Sequence, residues 1–103
     1  MSFLEENGVK VIEKNYRCRM GEIDIIGLDG DTRVFFEVKY RRDTRSGEPF
    51  EAVGFRKQRT ICRTADHYLM MKSLPVDKPY RFDIISIRGN EIKWYKNAFE
   101  YIY

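Results

Sequence analysis

Histidine occurs once in the 103 residues and cysteine twice. Two cysteines, Cys18 and Cys62, are too few for a disulfide framework or a cysteine zinc set. Both are expected reduced and semi-buried. His67 sits within a helical pattern beside Tyr68 and Leu69, with no Cys or His nearby, so neither a zinc site nor histidine catalysis is expected. No apolar run approaches the roughly 18 residues of a membrane span. The opening "MSFLEENG" is short and acidic, unlike a signal peptide. A soluble, cytoplasmic protein without a membrane partner is the expectation. Repeats, low-complexity segments and linkers are also missing, and the length suits one domain over 1–103. An excess of one charge is lacking too: the net charge is only +3. The placement of charge, not its sum, must therefore argue for or against nucleic acid.

Apolar residues make up 43% of the chain and charged residues 34%, enough for a modest core under an ionic surface. "SFLEENG" reads as a short helix ended by Gly8. Strands are expected at 9–18, 22–29 and 32–40, the last, "TRVFFEVKY", rich in β-branched and aromatic residues. "DGD" at 29–31 is a turn signal, so 22–40 reads as a β-hairpin. Residues 41–54 read as a loop. Ile61, Cys62, Ala65, Tyr68 and Leu69 recur at helical spacing and predict a helix over 55–72. Two prolines in "SLPVDKP" end it. Strands at 80–87 and 91–96 follow, joined by "RGN", and the aromatic tail "NAFEYIY" has no clear pattern. The order α-β-β-β-α-β-β predicts a mixed central β-sheet flanked by helices, an α/β fold.

The hairpin carries the chemistry. Side chains alternate across a strand, so Glu37 and Lys39 share a face with Arg33 and Phe35, and Val34, Phe36, Val38 and Tyr40 take the other. On the partner strand Glu22, Asp24, Ile26 and Leu28 share a face, with Ile23 and Ile25 opposite. A two-residue loop at Gly30-Asp31 places Asp24 opposite Glu37 and Glu22 opposite Lys39. A loop at Asp29-Gly30, the better type I′ sequence, places Glu22 opposite Glu37 and Asp24 diagonal to it. Either even loop gathers all four charged residues on one face, and an odd loop would not. Three carboxylates with one lysine repel one another, and burial would raise their pKa values. A divalent cation resolves the conflict, because Mg²⁺ takes one or two carboxylates plus waters and phosphate oxygens. Lys39 would position or deprotonate the attacking water, or stabilise charge at phosphorus. The bland alternative is a solvated ionic face with cross-strand Glu–Lys pairs.

Seven cations stand against three anions over residues 41–63, directly after this strand. Arg41, Arg42, Arg45, Arg56, Lys57 and Arg59 form a basic strip suited to phosphates. Gln58 falls in line with the buried helix face and would point to the edge of the metal site, unless it is merely solvated at the helix edge. Asp83, next to Phe82, is expected to pair with Arg81 or a loop amide. Trp94, Tyr95, Phe99, Tyr101 and Tyr103 suit packing or an interface better than base stacking.

"EKNYRCRMGEIDIIGLDGDTRVFFEVKYRR", followed by "EAVGFRKQRTICRTADHYL" and "YRFDIISI", resembles the YraN-type family of bacterial proteins over about residues 8–100. That family is similar to the PD-(D/E)XK nucleases, among them the Holliday junction resolvases. The resemblance implies a restriction-endonuclease-like (tRNA endonuclease-like) fold. It implies Asp24 as the motif aspartate, Glu37 and Lys39 as the (D/E)-x-K pair, and Glu22 within the G-E-I-D signature. Mg²⁺, or Mn²⁺ in its place, would bind Asp24, Glu37 and the carbonyl of Val38, and Gln58 would contribute from the following helix. Family members usually begin with a longer helix bearing a glutamate for the metal; this chain departs from that pattern with the short "MSFLEENG", in which Glu5 or Glu6 would have to substitute. The implied activity is a metal-dependent endonuclease on structured or branched DNA, as a homodimer and without a small-molecule cofactor. A nucleic-acid-binding module of the same fold with little or no cleavage is the alternative, and a protein-interaction module with a merely ionic face the third.

Overall fold

The structure, a computed structural model, describes residues 2–40, 53–75 and 78–103. Seven elements follow one another: α1 (Ser2–Glu6), β1 (Val9–Cys18), β2 (Gly21–Asp29), β3 (Thr32–Tyr40), α2 (Phe55–Met71), β4 (Tyr80–Arg88) and β5 (Glu91–Phe99). The strands form one sheet in the order β1-β2-β3-β4-β5. β3 and β4 run parallel and the other neighbours antiparallel. This is the mixed sheet with flanking helices that the element order predicts. No helix among the described residues is long and apolar enough to cross a membrane.

The parallel step needs a crossover, and α2 supplies it. Its apolar stripe of Ile61, Cys62, Ala65, Tyr68 and Leu69 packs with Ile23, Ile26, Phe35, Phe82, Ile84 and Phe99 on one face of the sheet. Phe35 anchors this core, with its ring 5.9 Å from Tyr68 and 5.6 Å from Phe82. The second face is covered more thinly. Leu4 of α1 is fully buried there against Val9, Ile25, Val34, Phe36 and Ile85.

Besides a register shift in β1–β2 between Val11 and Glu13, three features shape the sheet. The hairpin loop is Gly30-Asp31, closed by the pair Asp29↔Thr32. Gly30 has φ +66° and Asp31 does not have a positive φ, the pattern of a type II′ turn with glycine first. Asp29 is thereby kept in the strand, where its carboxylate meets Arg81 at 2.8 Å. The second irregularity lies in β4–β5, whose register shifts between Phe82 and Ile84, with Asn97 at φ +53°. Asp83 fills that break and carries β5 on to Phe99, through part of the tail whose pattern was unclear. The third irregularity is at Asn15, φ +54°, in β1. Lys14↔Ile25 and Tyr16↔Ile23 pair on either side of it. Ile25 and Ile23 nevertheless enter opposite cores. Alternation along β2 is therefore reset at Asp24, and the expected shared face of Ile23 and Ile25 does not form. A left-handed residue turns the strand where an extended one would preserve the period of two.

Candidate functional site

The β2–β3 ladder ends at Ile25↔Phe36. Continued by one step, its register sets Asp24 opposite Glu37, as a Gly30-Asp31 loop requires. Beyond Ile25, β2 pairs with β1, while Glu37 through Tyr40 pair with β4. Two strands that were partners now fork, and the mouth of the fork holds Asp24 and Glu37. Asp24 spans the opening: its Oδ2 accepts a hydrogen bond from the backbone N–H of Val38 at 2.7 Å.

Glu37 is buried, with 6% of its surface exposed. It lies between Phe36 and Val38, which both pack on the α1 side, so its side chain faces α2. Lys57 of α2 meets it there, Nζ to Oε2 3.5 Å. Burial raises the Glu37 pKa above the ordinary value, the Asp24 carboxylate adds to the rise, and Lys57 and Lys39 oppose it. Lys39, two residues on, is on the same side of β3 and pairs across to Ser86 of β4.

The other residues singled out from sequence fall into three groups. Glu22 does not join the carboxylates at the fork. The reset at Asp24 places it on the face away from Ile23, and its Oε2 meets Arg17 Nε at 3.2 Å across β1–β2. The expectation of all four charged residues on one face is corrected to Glu37 and Lys39, with Asp24 between the faces. Glu5 and Glu6 are exposed on α1. Gln58 neither points free at the site nor is simply solvated: its Nε2 donates to the carbonyl of Val53 at 3.0 Å and ties the approach to α2. Lys57, grouped with the basic strip from sequence, is drawn to Glu37, whereas Arg56 and Arg59 are exposed at the start of α2. No acidic residue occupies the first turn of that helix. Cations there stand against the positive end of the helix dipole. Arg41, Arg42 and Arg45 lie outside the described residues.

The donors present suit a hard cation. Asp24 and Glu37 supply two carboxylates whose mutual repulsion in a buried setting a cation would relieve. Among the described residues, no group of three His, Cys, Asp or Glu side chains is gathered for a metal. Two carboxylates are the usual protein share for Mg²⁺, which keeps waters and phosphate oxygens in its remaining positions.

A family model described as "Uncharacterised protein family UPF0102" matches residues 1–87. The chain belongs to this family. A UPF0102 protein of Lachnoclostridium phytofermentans is 44% identical over 99 residues, 96% of this chain and 84% of that protein. One from Psychromonas ingrahamii is 45% identical over 103 residues, 97% of this chain and 82% of the other. One from Nitrosomonas europaea is 45% identical over 101 residues, 95% and 84% of the two chains. The YraN-type resemblance drawn from the sequence is a resemblance to UPF0102.

Cys62 and His67 have structural partners. Neither cysteine is in a disulfide; Cys18 is half-buried, and Cys62 is buried with its Sγ accepting from the N–H of Ile102 at 3.5 Å. His67 Nδ1 lies 2.6 Å from Tyr16 Oη, joining α2 to β1. Asp83 is fully buried and holds Arg81, Trp94 Nε1 at 2.8 Å and the N–H of Asn97 at 2.8 Å. Of the partners expected for Asp83, Arg81 is taken; the amide it holds belongs to strand β5 and not to a loop.

Proposed function

We propose that this UPF0102 protein is a metal-dependent phosphodiesterase of restriction-endonuclease-like fold, cutting nucleic acid, with structured or branched DNA as its substrate. The observation that carries the reading is the Asp24–Glu37 pair in the β2–β3 fork, where a buried glutamate is held beside a second carboxylate. Mg²⁺ bound to these oxygens and to the carbonyl of Val38 would neutralise phosphate charge and lower the pKa of a water. Asp24 is oriented by the N–H of Val38. Lys39, on the Glu37 side of β3, supplies positive charge to the phosphorane as it forms. Arg56 and Arg59 at the start of α2 receive the flanking phosphates together with Arg41, Arg42 and Arg45. Gln58, anchored on Val53, fixes the start of α2 beside the fork.

The Lys57–Glu37 ion pair favours a second reading. A lysine already neutralising one carboxylate is what a non-cleaving nucleic-acid-binding module of the same fold would carry. Titrating Mg²⁺ or Mn²⁺ over branched, duplex and single-stranded DNA and over RNA separates the two. The nuclease reading expects metal-dependent cleavage that Lys39→Ala and Asp24→Asn each reduce by at least about a hundredfold, the scale of lost transition-state charge stabilisation. Cleavage that survives both substitutions sinks the site assignment. Salt-sensitive binding without cleavage supports the module.

A further inference from the structure

The fork that holds Asp24 also opens a hollow on the face away from α2. Its volume is about 290 Å³, and Lys14, Asn15, Asp24, Ile25, Val38 and Tyr40 line it. A hollow inside a sheet needs a cause. Here three backbones part at one level. The Asn15–Asp24 position is skipped between two paired positions of β1–β2, with Asn15 in the left-handed region, and the β2–β3 ladder stops one residue away. Such backbone departures in non-glycine residues concentrate at functional sites.

The lining has a definite chemistry. Ile25 and Val38 make an apolar floor. Tyr40 stands beside it with 77% of its surface exposed, a large aromatic side chain that the core does not use. Lys14, paired with Ile25 and so on the same face, brings a cation, and Asn15 a carboxamide that both donates and accepts. A flat apolar body, an aromatic face, a hydrogen-bonding edge and a cation complement one nucleobase with its phosphate. The hollow shares Asp24 and Val38 with the candidate metal site, so its occupant adjoins the phosphate held there. A base stacked within a duplex cannot enter a recess between strands; it must first leave the stack.

We infer that this hollow takes an unpaired nucleotide next to the phosphate at Asp24 and Glu37, so that the substrate class is nucleic acid with an unpaired segment at the cut, such as a fork, flap or single-stranded end. The inference rests on the nucleic-acid reading of the site but not on cleavage. Tyr40 is a positioning residue: it sets which nucleic acid is held, and the reacting atoms are handled by Asp24, Glu37 and Lys39.

The test is fluorescence anisotropy with the full chain, in Ca²⁺ and with the DNA checked for integrity. A blunt duplex, the same duplex ending in an unpaired thymidine tail, and one with a uridine tail are compared. The expected result is a preference for a tailed duplex of about tenfold, the scale of one base stacked on an aromatic ring. Tyr40→Phe keeps the preference. Tyr40→Ala removes it, and Asn15→Gly, which keeps the left-handed backbone accessible, weakens it. The deoxy and ribo tails separate DNA from RNA as the source of the nucleotide. Equal binding of blunt and tailed duplexes overturns the inference, as does a preference that survives Tyr40→Ala. A preference that persists in a protein that never cleaves with Mn²⁺ leaves the inference standing and removes the nuclease. Binding to none of the three overturns both.

Discussion

Burial and the Asp24 carboxylate favour the neutral form of Glu37, and the two lysines nearby do not fully offset them. The folded chain therefore keeps a proton on Glu37 at pH values where the unfolded chain has released it. Stability is lost as pH rises from the ordinary glutamate value of 4.5, and the loss levels off above the raised value. Glu37→Gln removes this titration. The variant is expected to melt a few degrees higher than the wild type at neutral pH, and the gap to close as pH falls below about 4, the ordinary carboxylate range. Thermal melts of both proteins across that range check it; parallel curves contradict it. A bound cation works in the opposite sense, since it favours the charged carboxylate. The same residue thus explains why a cation at the fork would stabilise the fold: it would favour the charged carboxylate that burial disfavours. From sequence, the repulsion at Glu37 was legible as an E-x-K set in an apolar strand. The Lys57 partner was not, because the sequence does not show which residue of the basic strip reaches across from α2.

At the scale of elements, α2 was readable from its strong helical period and the strands from apolar, β-branched and aromatic runs bounded by turn residues. The stripe of α2 from Ile61 to Leu69 and the run of β3 survive any small change of register. Three features were not readable. The hairpin sequence admits two loops; the one formed keeps Asp29 in the strand, where Arg81, 52 residues away, holds its carboxylate. The face change at Asp24 is set by the backbone of Asn15, whose left-handed φ leaves no mark in the hydrophobic pattern. The extension of β5 to Phe99 depends on Asp83, which accepts hydrogen bonds from Arg81, Trp94 and Asn97 where the β4–β5 register slips. Asp83→Ala leaves a half-buried guanidinium, an indole N–H and a backbone amide without this acceptor. The expected cost is about 3–5 kcal/mol, the scale for breaking a buried ion pair from one side. Urea denaturation measures it. A loss below about 1 kcal/mol would place Asp83 among ordinary surface pairs.

Across the whole molecule, charge and cover are unequally distributed between the two faces of the sheet. The α2 face carries the larger core, buries Glu37 and presents Arg56 and Arg59 from the start of the helix. Among the described residues the opposite face is covered by α1, and it opens into the hollow beside Tyr40. The fork between β2 and β3 is where the two faces communicate, and the proposed reaction uses both: phosphate and metal in the fork, flanking phosphates on the basic side, and an unpaired base on the other. A net charge of +3 conceals this arrangement. The restriction-endonuclease-like reading and the nuclease reading share one requirement, a divalent cation between Asp24 and Glu37. Crystals soaked in Mn²⁺ and measured for anomalous scattering test that requirement most directly. The account predicts one peak at about 2.0–2.3 Å from carboxylate oxygens of both Asp24 and Glu37, the spacing of a hard cation on oxygen ligands. No peak at the fork, or Mn²⁺ bound without either carboxylate, would contradict it.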